Sequence, residues 1–221
     1  MSAQISLQPM ATTNAAGLFN VNSNGFTQGD ALDDPAVKFW LAGGTLSTSA
    51  SLPLWGGVPI AESIPVSQTG AYSGDYQPGT DTLGGGIIQA TTAIAPTGIS
   101  VFNQAFNGIT TPQSTAPLYS PGMTVNFYRF GSGARIPLPC DASIVALATA
   151  GDSISETVYW DTTNYRLTTT ATSNFAVPVK ILRVSTANNK IVNYSSVTGN
   201  ANWSNTIVGG TTAAPVAVVL I

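Results

Sequence analysis

The residues that could carry chemistry are few, and the first finding about them is a gap: the chain contains no histidine. Ser-His-Asp and Cys-His arrangements are therefore excluded, as is the commonest ligand of transition metals. Cys140 is the single cysteine, so a zinc site of the usual Cys/His kind and an internal disulfide are both excluded. Acid–base chemistry on carboxylates remains, because a glycosidase needs only two carboxyl groups across the scissile bond. Glu62 and Glu156 are the only glutamates, and nothing in their surroundings raises them above two unrelated side chains. Asp30, Asp33 and Asp34 lack the spacing of a calcium loop and read better as caps and turn residues, as do Asp75 and Asp81. Gly84-Gly-Gly86 is followed by no Gly-Lys-Ser/Thr and reads as a turn, not a phosphate loop. No catalytic residue, cofactor site or metal site is expected, and the chain reads as a non-enzyme.

Aromatic side chains are what the sequence offers for binding. The tryptophans are Trp40, Trp55, Trp160 and Trp203. Such residues stack on sugar rings in lectin-like modules, but they also anchor cores and protein interfaces. Their neighbours here, turn glycines and alternating strand residues, favour core or interface.

These side chains are positioned by elements that must be short. From residue 45 onward glycine and proline interrupt the chain every few residues, and β-branched or aromatic runs lie between them. The expected strands are Ile87–Ala93, Gly98–Phe102, Met123–Phe130, Ser143–Ala150, Thr157–Trp160, Tyr165–Thr172, Val177–Val184, Lys190–Ser195 and Pro215–Ile221. Two hairpins are expected, through Trp160–Tyr165 and through Ala187–Lys190. Met123, Val125 and Phe127 alternate with polar neighbours, as on a strand with one buried face. The apolar run Ala213–Ile221 is far short of about 20 residues for a membrane span and reads as a buried last strand.

The fold class expected is all-β, a sandwich or jelly-roll-like barrel of short antiparallel strands with at most one or two short helices. Residues 1–28, polar and without a clear period, read as an extended N-terminal arm; residues 29–221 read as the β-domain. Between them, Asp34 as N-cap, Pro35 at the first position and Gly43 past the end suggest a short helix over 35–42. Alternation of Val37, Phe39 and Leu41 suggests a strand over the same residues.

Charge narrows the function. Only 8% of residues are charged and the net charge is −3. The seven basic residues are scattered, so the clustered Lys or Arg needed to neutralise nucleic-acid phosphates is missing. No nucleic-acid or membrane partner is expected. Met1–Met10 has neither a positive stretch nor an apolar run, so a secretory leader is not expected. With one cysteine, assembly in a host cytoplasm fits. A surface of Ser, Thr, Asn, Gln and Gly suits burial against other protein, because few charges need desolvating.

Several blocks of residues carry a resemblance. Gly29-Asp-Ala-Leu-Asp-Asp-Pro-Ala-Val-Lys-Phe-Trp-Leu-Ala-Gly-Gly44, Pro53-Leu-Trp-Gly-Gly57, Ser100-Val-Phe-Asn-Gln104 and Pro121-Gly-Met-Thr-Val-Asn-Phe-Tyr-Arg129 come in that order. Gly133–Ile136, Val158–Asp161, Arg166–Thr169 and Pro178–Ile181 follow. In this order the blocks resemble virion structural proteins of tailed bacteriophages, in particular head decoration or cement proteins. The resemblance implies a place on the capsid exterior, the major capsid protein and symmetry-related copies as partners, and a homo-oligomer, a trimer favoured. It implies no functional site residue. From the aperiodic arm and the aromatic cluster that follows it, Leu18, Phe19, Phe26, Phe39, Trp40 and Trp55 are the interface candidates. The alternatives are another virion component, such as a head fibre base, spike or tail-associated protein, and a carbohydrate-binding adhesin module.

Overall fold

The structure, a computed structural model, describes residues 25–32, 37–48, 50, 52–63, 66–67, 82–83, 86–102, 115–207 and 212–221. Along the chain a 3-10 turn, Val37–Trp40, leads into β1 (Leu41–Thr45), β2 (Pro59–Glu62), β3 (Val66–Ser67), β4 (Thr82–Leu83), β5 (Ile87–Gln89), β6 (Gly98–Val101), β7 (Thr124–Arg129) and β8 (Arg135–Pro139). One helix, α1 (Ala142–Ala150), precedes β9 (Val158–Asp161), β10 (Arg166–Thr168), β11 (Phe175–Val177), β12 (Lys180–Ser185), β13 (Ile191–Ser195), β14 (Asn200–Ser204) and β15 (Val216–Leu220). The fold is all-β, as expected, and every strand pairing is antiparallel.

The largest sheet has the order β1-β7-β6-β2-β5; two three-stranded sheets run β10-β9-β11 and β12-β15-β8, and β13-β14 and β3-β4 pair alone. An isolated parallel bridge between Leu46 and Ile87 brings the chain just past β1 against β5, the strand at the opposite end of the first sheet. The main core, from Leu46 to Ile221, joins the three larger sheets and the β13-β14 pair, and Ile191, Ala214 and Val216 form a second, smaller cluster. In β7 the expected alternation holds only over Thr124–Phe127: Val125 and Phe127 are buried, Thr124 is exposed and Asn126 is half-buried, but Tyr128 is buried as well and Met123 lies outside the strand and exposed. The last strand, β15, is flanked on both sides and buried from Val216 to Val219. That explains its unbroken apolar run, since a strand covered on both faces has no polar side to show.

β8 lies outside the expected strands, and Pro137 and Pro139 are residues that disfavour a strand interior. Its pairing accommodates both. Pro137 faces away from β15, so its missing N–H leaves no ladder bond unmade, and its carbonyl accepts from Gly29 N at 2.9 Å. Arg135 O accepts likewise from Leu32 N at 2.9 Å. The segment that donates to this proline-blunted edge, residues 29–32, directly follows the expected arm, and the last residues of that arm are also packed in. Thr27 and Gln28 are buried, Gln28 N donates to Lys190 O at 2.8 Å, and Lys190 N donates to Phe26 O at 2.8 Å. Residues 25–28 are thus built into the β-domain, and a boundary between 28 and 29 cuts a buried segment. Gly29 (φ 70°) crosses Gly56 and Gly57 (φ 81°) so closely that a Cβ at Gly29 would sit 2.3 Å from the Gly56 carbonyl carbon. Only glycine satisfies both the left-handed backbone and that approach.

Three expectations are corrected. Ser143–Ala150 is helical: Asp141 accepts from the backbone N–H groups of Ser143 and Ile144, and Gly151 ends the helix in the left-handed conformation (φ 75°). The caps outweigh the weak strand preference of one Ile and one Val. Residues 37–45 hold no helix ending at Gly43; the 3-10 turn stops at Trp40, and Gly43 and Gly44 lie inside β1, where a Cβ on Gly44 would strike Ile87 Cδ1 at 2.6 Å. Ala187–Lys190 makes no hairpin, because β12 pairs with β15 and β13 with β14. Asn189 instead ties this turn inward, accepting from Phe26 N at 3.0 Å and donating to Ser185 O and Ala214 O at 2.9 and 2.8 Å. The Trp160–Tyr165 hairpin is as expected, with Arg166 opposite Asp161.

Candidate interaction surface

Among the described residues no three His, Cys, Asp or Glu side chains gather where a metal could sit. Glu62 faces Arg129 through two hydrogen bonds, at 2.8 and 2.7 Å, and the bond to its carboxylate pushes the guanidinium pKa further up. The pair is solvent-exposed and ties Glu62 to a structural partner. Cys140 is buried, and that burial, reinforced by the nearby Asp141 charge, pushes its thiol up to about 12. It stays protonated and is no nucleophile at neutral pH. Asp33, Asp34, Asp75, Asp81, Gly84 and Gly85 lie outside the described residues. No helix among the described residues is long and apolar enough to cross a membrane.

The surface carries several large apolar side chains; Leu52, Ile94, Met123 and Val197 stand apart from one another in the chain, and the others fall into two groups in unlike settings. The first is convex. Phe39 at 90% exposure and Trp40 at 66% stand on the 3-10 turn, and Leu41 at 44% opens β1, an end strand of the first sheet. A turn of four residues is too short to fold either ring back over its own backbone. The next residue is already held opposite Tyr128 in the ladder to β7, so the rings project.

The second setting is concave. The end of α1, the loop after it and β12 enclose a groove of about 190 Å³. Its apolar wall comprises Leu147, Ile154, Ile181, Leu182 and Val184, with Ile154 half exposed at 51% and Leu182 at 41%. The groove has a local cause. The register of β12 against β15 shifts between Ile181 and Arg183, so Leu182 is an extra residue. Four consecutive residues of β12, Ile181 to Val184 with the charged Arg183 among them, line the groove, together with Ala148, Asp152 and Ser153. Ile181 N donates to Ile154 O at 3.0 Å and draws the post-helix loop along the strand edge. This groove went unread in the sequence; the signal was the adjacent pair Ile181-Leu182 inside an alternating run.

The interface candidates therefore fare differently. Phe39 and Trp40 stand together on the surface. Phe26 is half-buried against Ile191, Ala214 and Val216, with the Arg183 guanidinium 5.5 Å from its ring centre. Trp55 has no exposed surface; it sits edge-on to Tyr165 at 4.9 Å and against Tyr194 at 5.0 Å, and its Nε1 has no hydrogen-bond partner among the described residues. In one copy its contacts are all internal, so it serves the core. Leu18 and Phe19 lie outside the described residues.

Comparison of the chain with protein-family models, with curated proteins and with solved structures gives no match.

Proposed function

We propose that this chain is a non-enzymatic structural protein of a virus particle, binding the outside of a tailed-phage head and holding neighbouring capsomers together. The observation that carries the reading is the Phe39–Trp40 turn, a large aromatic surface held out on an all-β body that is only 8% charged. Aromatic side chains are enriched where proteins meet, and a surface with few charges loses little on desolvation. The ordered blocks from Gly29 to Ile181, which resemble head decoration proteins, supply the particle and the major capsid protein as partner. The mechanism is mass action: a protein that binds the assembled shell and not its dissociated subunits stabilises the shell. Repeated copies on a symmetric lattice add avidity.

The test is to mix purified protein with bare, expanded phage heads and separate them on a density gradient. Co-migration at a saturating ratio, with heads that then withstand heat or chelator better, supports the reading. Protein left at the top of the gradient refutes it.

The same exposed rings favour a second reading, a carbohydrate-binding module, since a projecting Trp stacks on sugar faces. Glycan-array binding that disappears in Trp40→Ala, with the head assay negative, would select it.

A further inference from the structure

The α1–β12 groove is half-open, and no described side chain fills it: Ile154 and Leu182 in its wall keep 51% and 41% of their surface exposed. The described chain begins beside it. Phe26, its second residue, lies with its ring 5.5 Å from the guanidinium of Arg183, and Arg183 lines the groove next to Leu182. We infer that the segment just upstream, Leu18-Phe19-Asn20-Val21-Asn22 of the same chain, seats in this groove with the Phe19 ring as its plug. This contact is independent of the particle reading above.

Reach favours this occupant. Phe19 stands seven residues before Phe26, and a stretch of that length spans at most about 25 Å when extended. Leu182 is the next strand residue after the Arg183 that Phe26 already meets. Tethering also weighs against the other occupants. A segment on so short a linker faces the groove at an effective concentration on the order of millimolar. A second copy or another protein arrives at its bulk concentration and loses translational and rotational freedom on binding. The other stretch that starts near Phe26, residues 208–211, is held short. Ile207 packs on the same small cluster as Phe26 and donates from N to Thr212 O at 3.2 Å.

Chemistry agrees. Residues 1–24 contain no charged side chain, so nothing ionised on the segment has to leave water. Phe19 and Val21 alternate with Asn20 and Asn22. Extended, the segment turns two apolar side chains one way and two carboxamides the other. The groove offers room for one ring, at about 190 Å³, and its lining joins aliphatic side chains to Arg183, Asp152 and Ser153. A carboxamide both donates and accepts, so it serves the guanidinium and the carboxylate alike. The β12 edge itself is poorly suited to an added strand, because the bulge at Leu182 breaks it and Ile181 N is already bonded to Ile154 O. Side chains, not a backbone ladder, are what this face can hold. Any partner that takes Leu18 and Phe19 must then first draw them out of the chain's own groove.

The experiment is disulfide trapping in the full chain. Phe19→Cys with Leu182→Cys is compared with a control pair, Phe19→Cys with Val197→Cys. Val197, 94% exposed on the turn between β13 and β14, gives the tether a target without a groove. Cys140 is buried and takes no part. Unchanged circular dichroism and melting check the fold. Under mild oxidation the first pair is expected to close an intrachain bond at a rate independent of protein concentration. It should close at least about tenfold faster than the control, because docking adds to the effective concentration that the tether alone supplies. An interchain dimer as the main product would assign the segment to a neighbouring copy, and closure no faster than in the control would leave the groove to another partner; either result overturns the contact. A second measurement needs no bond between the two sites. In Leu182→Cys, alkylation of the introduced thiol should speed up several-fold when Phe19→Asn is added, and an unchanged rate would overturn the contact as well.

Discussion

Gln28 donates from Nε2 to the carbonyl oxygen of Gly56 at 3.1 Å, across 28 residues of chain and with its side chain wholly buried. Its Oε1 accepts from Val192 N at 2.8 Å, so one amide joins the loop before β2 to strand β13. A buried amide with both ends bonded is costly to remove, because each former partner is left unsatisfied away from water. Gln28→Ala should lower unfolding free energy by about 2–4 kcal/mol, the sum of an orphaned N–H and carbonyl and a small cavity. Gln28→Met, which keeps the volume, should recover part of that loss. Urea denaturation of the three proteins checks both numbers; equal midpoints would show that the bonds contribute nothing.

The same segment sets where the chain can be cut. Gly29 N bonds to Pro137 O, Phe102 N to Gly29 O, and Gln28 N to Lys190 O, all between 2.8 and 3.0 Å. Removing residues 1–24 spares every one of these bonds. Removing 1–28 keeps Gly29 and Leu32, the donors to β8, but loses both backbone bonds between residues 26–28 and Lys190 and empties the Gln28 site. The shorter deletion should melt within a few degrees of the full chain, whereas the longer one should be unfolded or melt far lower. Similar melting of the two deletions would place residues 25–28 outside the cooperative unit.

The α1 helix was readable, and the reasons it was passed over are physical. Asp141 and Gly151 stand where an N-cap and a left-handed C′ residue belong, ten residues apart. The apolar run between them has no polar stripe, however, so periodicity could not separate a buried strand from a helix. Legibility elsewhere followed the same rule. Local signals such as the Trp160–Tyr165 turn carried through, and the alternation of β7 did so from Thr124 to Phe127 but not at Tyr128, which is buried too. Pairings decided by distant residues did not. β8 is a strand because β15 takes one of its edges and residues 29–32 the other. Asn189 turns inward because Phe26 and Ala214 wait for it. The groove depends on a one-residue slip of register that no propensity encodes. Trp40 and Trp55 carry the same side chain, yet one is exposed and one fully buried, and only tertiary packing tells them apart.

The caps of α1 should be measurable. Asp141→Ala leaves the N–H groups of Ser143 and Ile144 without their acceptor and should cost about 1 kcal/mol, within the usual 0.5–2 range for caps. Gly151→Ala places a Cβ on a residue at φ 75°, with open space around it, so strain alone should cost about 1 kcal/mol. Because Thr169 N donates to Ser143 Oγ at 3.0 Å, loss of the Asp141 contact to that hydroxyl should also loosen the end of β10. Hydrogen exchange at Thr169 should accelerate in Asp141→Ala and stay unchanged in Gly151→Ala; equal behaviour in both would detach β10 from the cap.

Cys140 gives the fold a pH dependence with a definite sign. Burial raises its thiol from an ordinary 9.0 to about 12 in the folded protein. In the unfolded chain the thiol loses its proton near 9, so above that pH the unfolded state binds fewer protons and stability falls as pH rises. The contribution is complete below pH 9 and is lost progressively toward pH 12, at ~1.4 kcal/mol per pH unit in between. Lys190 works in the opposite sense over an overlapping range, because burial lowers its amine from 10.5. The two are separated by comparing the wild type with Cys140→Ala, in which Lys190 is unchanged. The stability difference between these proteins should be constant from pH 7 to pH 8.5 and then move in favour of the variant by about 1 kcal/mol by pH 10. A difference that stays flat to pH 10 would mean that the folded thiol titrates like a free one. Thiol-reagent kinetics offer an independent check at pH 8: Cys140 should react only as fast as the protein unfolds, since reaction needs a thiolate that burial denies.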